Sequence, residues 1–314
     1  MEYFLIIGIL IISAVLYLKV AQKFKIVDNP NDRSSHTLPT IRGGGILFFI
    51  AVLLFFVTSK YQYPYVTIGI SIIALVSFMD DIKTLSAKIR LPFQFIAIAL
   101  VLFQVGIFQQ PWFLVSLLTI VGVAFINMYN FMDGINGITG LYSLAVLSAF
   151  AVLNTIENVV AANLIWYAML AVVVFGYYNF RKKARMFAGD IGSITMAMLL
   201  FFVGLKLMVQ LEAPIILITV AVYGVDSGLT ILYRIYLKES IVQAHRHHIY
   251  QKLVDKAQWS HLKVSGVYAL VQLLLNVVVI YSYQLTFTTQ LGIVAAIILG
   301  LTICYALVFK FLSD

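Results

Sequence analysis

Charge is scarce in this sequence. Asp, Glu, Lys and Arg make up 11% of 314 residues, where a soluble domain carries about 25%. The apolar share is 62% and the mean hydropathy +1.00, too much apolar surface for one water-soluble core to enclose. Cysteine is nearly absent. The single Cys304 lies in an apolar run, which excludes an intrachain disulfide and a clustered Cys/His metal knuckle. No G-K-[ST] ending completes a Walker-type phosphate loop. No fixed-period repeat or soluble segment interrupts the chain, so one domain over 1–314 is expected. The net charge of +8 comes without a basic stripe or stacking-aromatic module, which argues against a nucleic-acid partner. The first apolar run lacks a basic n-region and a small-residue cleavage site, and Glu2 stands where a cation would be expected. It therefore reads as a retained helix rather than a signal peptide.

Apolar runs of near-membrane length fill the chain instead. They fall near 3–20, 43–58, 65–79, 92–107, 112–129, 138–155, 160–178, 194–210, 214–235, 264–283 and 290–309. The expected fold is all-α: a polytopic membrane protein of about eleven transmembrane helices at roughly 20 residues each. Of the 21 Lys and Arg residues, only Lys60 and Lys206 belong to one side. The other side is then cytoplasmic by the positive-inside rule, with the N-terminus outside and the C-terminus cytoplasmic. The outer loops near 109–111 and 211–213 are tiny, and the inner loops hold nearly every residue capable of chemistry.

Four constellations stand out on that inner side. Asp80 and Asp81 end the third run, followed by Lys83, Lys88 and Arg90. Adjacent carboxylates at a membrane boundary persist most easily beside a cation, a metal or a shared proton, although a solvated helix end would look the same. Asn127, Asn130, Asp133 and Asn136 recur every three residues, with Gly134, Gly137 and Gly140 among them. That spacing keeps them near one helical face, lining a cavity or bonding a neighbouring helix. The stretch G-D-I-G-S at 189–193 brackets Asp190 with glycines and opens a helix whose amides favour anions, or merely caps it. His245, Arg246, His247 and His248 sit in the longest inner loop; phosphate binding fits them better than zinc, because no second cluster completes a coordination sphere. Asp226 lies inside the ninth run, and a functional charge and a buried structural one are equally good readings. Isolated carboxylates on several loops, interleaved with Arg and His, form the usual arrangement for bringing Mg²⁺ to substrate phosphates.

These motifs resemble the polyprenyl-phosphate N-acetylhexosamine-1-phosphate transferase family, from about residue 28 to about residue 253. The likeness covers R-S-S-H-T-x-P-T-x-R-G-G-G at 33–45, Asp80-Asp81, N-x-x-N-x-x-D-G-x-x-G at 127–137, G-D-x-G-S at 189–193 and R-x-H at 246–248. The resemblance implies Mg²⁺, replaceable by Mn²⁺, held by Asp133 and Asp190. Asp80 and Asp81 would engage the acceptor phosphate or its proton, and His248 would join these four as a catalytic group. Substrate contacts are implied for Asn130, Asn136, Lys88, Arg90, Arg246, His247, His36 and Arg42. The implied reaction moves an N-acetylhexosamine 1-phosphate from a UDP-N-acetylhexosamine to undecaprenyl phosphate, releasing UMP. It would run at the cytoplasmic face of a bacterial inner membrane, in a monomer or a homodimer. Two departures stand out. Many relatives carry Asp where this chain has Asn136, and R-x-H-I-Y-Q replaces the triple-His form of the peptidoglycan enzymes. The second points away from a muramoyl-pentapeptide donor and towards surface-polysaccharide initiation. A transporter of an anionic substrate is the alternative from another class, but only Asp226 lies near mid-membrane as transporters require.

Overall fold

The computed structural model describes residues 1–30, 39–240 and 246–312. Twelve helices account for most of them. The first six are α1 (Glu2–Lys23), α2 (Ile46–Thr58), α3 (Pro64–Ile82), α4 (Ala87–Val105), α5 (Trp112–Phe131) and α6 (Ile138–Glu157). There follow α7 (Ala162–Asn179), α8 (Gly189–Gln210), α9 (Ala221–Tyr236), the short α10 (Ile249–Asp255), α11 (His261–Ser282) and α12 (Phe287–Phe311). The only strands among the described residues are two-residue pieces, β1 (Val27–Asp28) and β2 (Thr40–Ile41), paired antiparallel.

The breaks fall where the backbone chemistry demands them. Gly106, at φ +90°, ends α4 in the left-handed conformation and its N–H returns to the Leu102 and Phe103 carbonyls. Pro64 stands in the first turn of α3, where its missing N–H costs nothing. The Ser260 hydroxyl accepts from Lys263 N–H to cap α11, and Thr286 caps α12 in the same way.

Among the described residues, ten helical segments are long and apolar enough to cross a membrane, one fewer than expected. The difference is α2. Its 13 residues rise about 20 Å, short of the roughly 30 Å of a hydrocarbon core. The helix starts late because residues 43–45 are glycines packed on Tyr17, Met186 and the start of α8, and the left-handed Gly43 (φ +80°) delays the first helical turn.

Helix α8 is the hub: 83% of its most apolar stretch is buried, flanked by α2, α3, α4, α5 and α6. By contrast α12 buries none of its equivalent stretch and lies outermost. The span 214–236 opens with a 3-10 segment, Pro214–Val220, before α9 takes over. Such a break needs partners away from water. Gln272 of α11 supplies one, donating to the Ile218 carbonyl at 2.8 Å while accepting from the Tyr142 hydroxyl at 2.6 Å. Asn276 ties the same helix to the Ala145 carbonyl of α6 at 2.7 Å. A rigid bundle results, with the polar motifs gathered at one end.

Candidate active site

The start of α8 organises that end. Phe187 N–H donates to the Ile41 carbonyl, and Gly44 and Gly45 N–H donate to the Phe187 and Ala188 carbonyls at 2.8 and 2.9 Å. Residues 41–45 thus run alongside 186–188 as an added strand. A Cβ on Gly45 would meet the Gly192 backbone, so only glycine permits this approach. Gly189 is left-handed at φ +71°, and a Cβ there would lie 2.5 Å from Asp81 Oδ2. The first N–H groups of α8 have no helical partner. Asp81 reaches over from α3 to accept two of them, Asp190 N–H at 2.8 Å and Ile191 N–H at 3.1 Å. The resemblance implied contact between Asp81 and the acceptor phosphate; here its side chain is fully buried and caps a helix.

Two arginines knit the acids together. Arg42 places Nε 2.6 Å from Asp81 Oδ1 and Nη2 2.9 Å from Asp190 Oδ1. One Nη1 of Arg90 touches both Asp80 Oδ2, at 2.8 Å, and Asp190 Oδ2, at 3.2 Å. Burial works against the Arg42 charge, but Asp190 and Asp81 outweigh it and hold its pKa above the usual guanidinium value. Asp80 also accepts from Leu85 N–H, which fixes the turn leading into α4. Lys88 is exposed at the start of α4, and His36 lies outside the described residues.

The polar stripe divides among separate tasks. Helix α5 ends at Phe131, so the single helical face expected through residue 136 stops after Asn130. Asn127 exchanges hydrogen bonds with Gln94 of α4 at 2.8 and 3.2 Å. Asn130 Oδ1 accepts from the Ser193 hydroxyl at 2.6 Å, joining α5 to the first turn of α8. Asp133 stands in the turn beyond and accepts from the Thr139 hydroxyl at 2.5 Å. Burial pushes its pKa up to about 6, against the pull of Thr139 and Arg42. Asn136 is buried and donates to the Arg181 and Lys182 carbonyls at 2.9 and 3.2 Å, so it latches the basic loop after α7.

The histidine segment packs beside this turn. The Tyr250 hydroxyl donates to the Phe131 carbonyl at 3.0 Å, docking α10 next to Asp133. Arg246 forks onto Asp255 at 2.9 and 2.7 Å, and His247 Nε2 lies 3.2 Å from both Glu239 oxygens. His248 is buried, with Nδ1 3.1 Å from Asp226. The catalytic role that the resemblance implied for it would need this side chain to open.

The donor set suits a hard divalent cation. It consists of oxygens only, and Mg²⁺ needs one or two carboxylates because water and substrate phosphates complete its shell. Asp190 and Asp133 stand on adjoining segments that the Asn130–Ser193 hydrogen bond ties together. Among the described residues no group of three His, Cys, Asp or Glu side chains forms a closed metal cage.

Sequence reasoning missed Thr139, Tyr250, Glu239, Asp255 and His261, whose Nδ1 accepts from Asn136 N–H at 3.4 Å. Four of them stand on helices and Glu239 in the loop after α9, and nothing in the sequence pattern marks them out.

Comparison with known proteins bears on this geometry. The probable undecaprenyl-phosphate N-acetylglucosaminyl 1-phosphate transferase of Bacillus subtilis is 28% identical, covering 78% of this chain and 74% of its own. The undecaprenyl-phosphate alpha-N-acetylglucosaminyl 1-phosphate transferases of Salmonella typhi and Escherichia coli K12 are 29% and 25% identical over 56% of this chain. The chain spans about half the length of those two, 53% in each case. The profile of Glycosyl transferase family 4 matches residues 63–208, the stretch that carries Asp80, Asp81, Asn130, Asp133 and Asp190. The motifs, their order and the relatives agree with that match, so over residues 63–208 the chain is similar to glycosyl transferase family 4.

Proposed function

We propose that this protein transfers N-acetylglucosamine 1-phosphate, or a closely related N-acetylhexosamine 1-phosphate, from its UDP-sugar to undecaprenyl phosphate. The relatives' names support the acceptor and the group transferred. The observation that carries the reading is the meeting of Asp80, Asp81 and Asp190 with Arg42 and Arg90 at one end of an apolar bundle. Carboxylates for a divalent ion beside guanidinium groups for phosphate oxygens suit attack at phosphorus. A lipid-phosphate oxygen would bond to the β-phosphorus, the bond from that phosphorus to the bridging oxygen would break, and UMP would leave with the electron pair. Asp133 and Asp190 would hold Mg²⁺ (or Mn²⁺), whose contribution is to neutralise the diphosphate. Arg42 and Arg90 would orient phosphate oxygens, and Asn130 would border the nucleotide. The site would face the cytoplasm of a bacterial inner membrane, a reading supported by the excess of Lys and Arg in its loops.

A donor labelled at the β-phosphate tests which bond breaks. The label should appear in the lipid product and unlabelled UMP should be released. Adding UMP to the lipid product should run the reaction backwards, because one diphosphate replaces another. Label leaving in UDP would mean attack at the anomeric carbon and would overturn the proposal.

A further inference from the structure

Asp226 lies within α9, on a segment apolar enough to span a membrane, where a carboxylate needs every oxygen satisfied. Its Oδ2 accepts from the Tyr268 hydroxyl at 2.6 Å. Its Oδ1 accepts from Ile249 N–H at 3.1 Å and from the Thr230 hydroxyl at 3.3 Å, and lies 3.1 Å from His248 Nδ1. An amide and two hydroxyls already point at this carboxylate, so it offers the imidazole an acceptor and the ring hydrogen sits on Nδ1. Asp226 therefore caps the first turn of α10 and orients the ring just before it.

The residues on either side differ sharply in exposure. The His248 side chain is 2% exposed, whereas Arg246 and His247 are 24% and 28% exposed. On the other flank Tyr250 stacks near the His248 ring, at 5.5 Å between centroids, and docks onto the turn that holds Asp133.

We propose that Asp226 and His248 form a positioning anchor: the Asp226 carboxylate, holding His248 Nδ1 and Ile249 N–H, fixes Arg246 and His247 beside the Asp133 turn so that they meet the donor's diphosphate. His248 acts through Asp226 and does not touch the substrate. The anchor rests on the transfer reading above for what the segment meets.

Two amides distinguish the ring nitrogens. His248→Asn places an N–H near the position of Nδ1, and His248→Gln reaches the position of Nε2. UDP-N-acetylglucosamine is titrated calorimetrically into the purified full-length protein with Mg²⁺, each variant first being shown to melt as the wild type does. His248→Asn should bind within about threefold of wild type. His248→Gln and Asp226→Asn should each bind at least about tenfold more weakly, the loss expected for a buried charge-assisted hydrogen bond. The KM for polyprenyl phosphate should stay within about twofold, because the segment serves the donor alone. Gln matching or surpassing Asn would show His248 working through Nε2, and would overturn the anchor. So would loss of affinity in His248→Asn, or full affinity in Asp226→Asn. Should Asp226→Asn fail to fold, the Asn and Gln pair decides alone. A wild type that binds no UDP-sugar would sink the transfer reading; a wild type that binds, with the Asn and Gln order reversed, sinks only the anchor.

Discussion

Asp133 is the titrating group to follow at the scale of the residue. Its pKa of about 6 lies above the ordinary 3.8 because burial disfavours the charged form. Protonation therefore favours the folded state: this stabilising contribution is complete below the unfolded value and fades as pH rises through about 6. In the proposed reaction function runs the other way, since only the carboxylate could hold a cation. Turnover should fall as pH drops through about 6, and raising Mg²⁺ should move that limb to lower pH, because ion and proton compete for one group. A limb indifferent to Mg²⁺ would remove Asp133 from the metal. Asn136 carries the second residue-scale prediction. Its amide donates to two carbonyls, and Asp could donate to neither. Asn136→Asp should lower stability by about 1–3 kcal/mol, the cost of buried groups left without donors, read as a drop in detergent melting temperature. The sequence showed that these residues were polar and periodic. It could not show that α5 stops at Phe131, which sends Asn136 to the loop after α7 rather than into a shared cavity.

Elements were legible where hydrophobicity alone decides them, as the long runs of α1, α11 and α12 illustrate. They were less legible where backbone contacts decide. The shortness of α2 comes from three glycines lying against α8 and the residues just before it, and α8 is in turn capped by a carboxylate of α3. The 3-10 opening of the α9 span depends on Gln272, more than fifty residues later. No local pattern reports such distant partners. The cap on α8 can be tested directly. Gly189→Ala would impose a side chain at φ +71° and drive its Cβ to 2.5 Å from Asp81. It should destabilise by more than about 1 kcal/mol and release residues 41–45 as well, seen as faster proteolysis in that segment. Gly266→Ala, where a Cβ meets nothing within 4 Å, should leave both readings unchanged.

At the scale of the whole molecule, the charge bias predicts orientation. A reporter fused after residue 312 should behave as cytoplasmic, and one inserted near Gln110 as external. Reports from the same side would break the orientation on which the proposed cytoplasmic reaction depends. The joint between α3 and α8 also has a consequence in biosynthetic time. Asp81 and the amides that hold it are 109 and 110 residues apart. A ribosome adding about 5–20 residues per second leaves Asp81 waiting roughly 5–20 s for them. Arg42 has already been made by then, and Arg90 follows Asp80 by only 10 residues. Both arginines are thus available to the two acids before α8 is made, and α8 arrives at a seat whose charge is already balanced. A nascent chain carrying Arg42→Ala would hold Asp81 uncompensated at the membrane boundary through that interval. Pulse-labelled Arg42→Ala chains should be degraded before α8 is complete, and Arg42→Lys chains should survive in greater number.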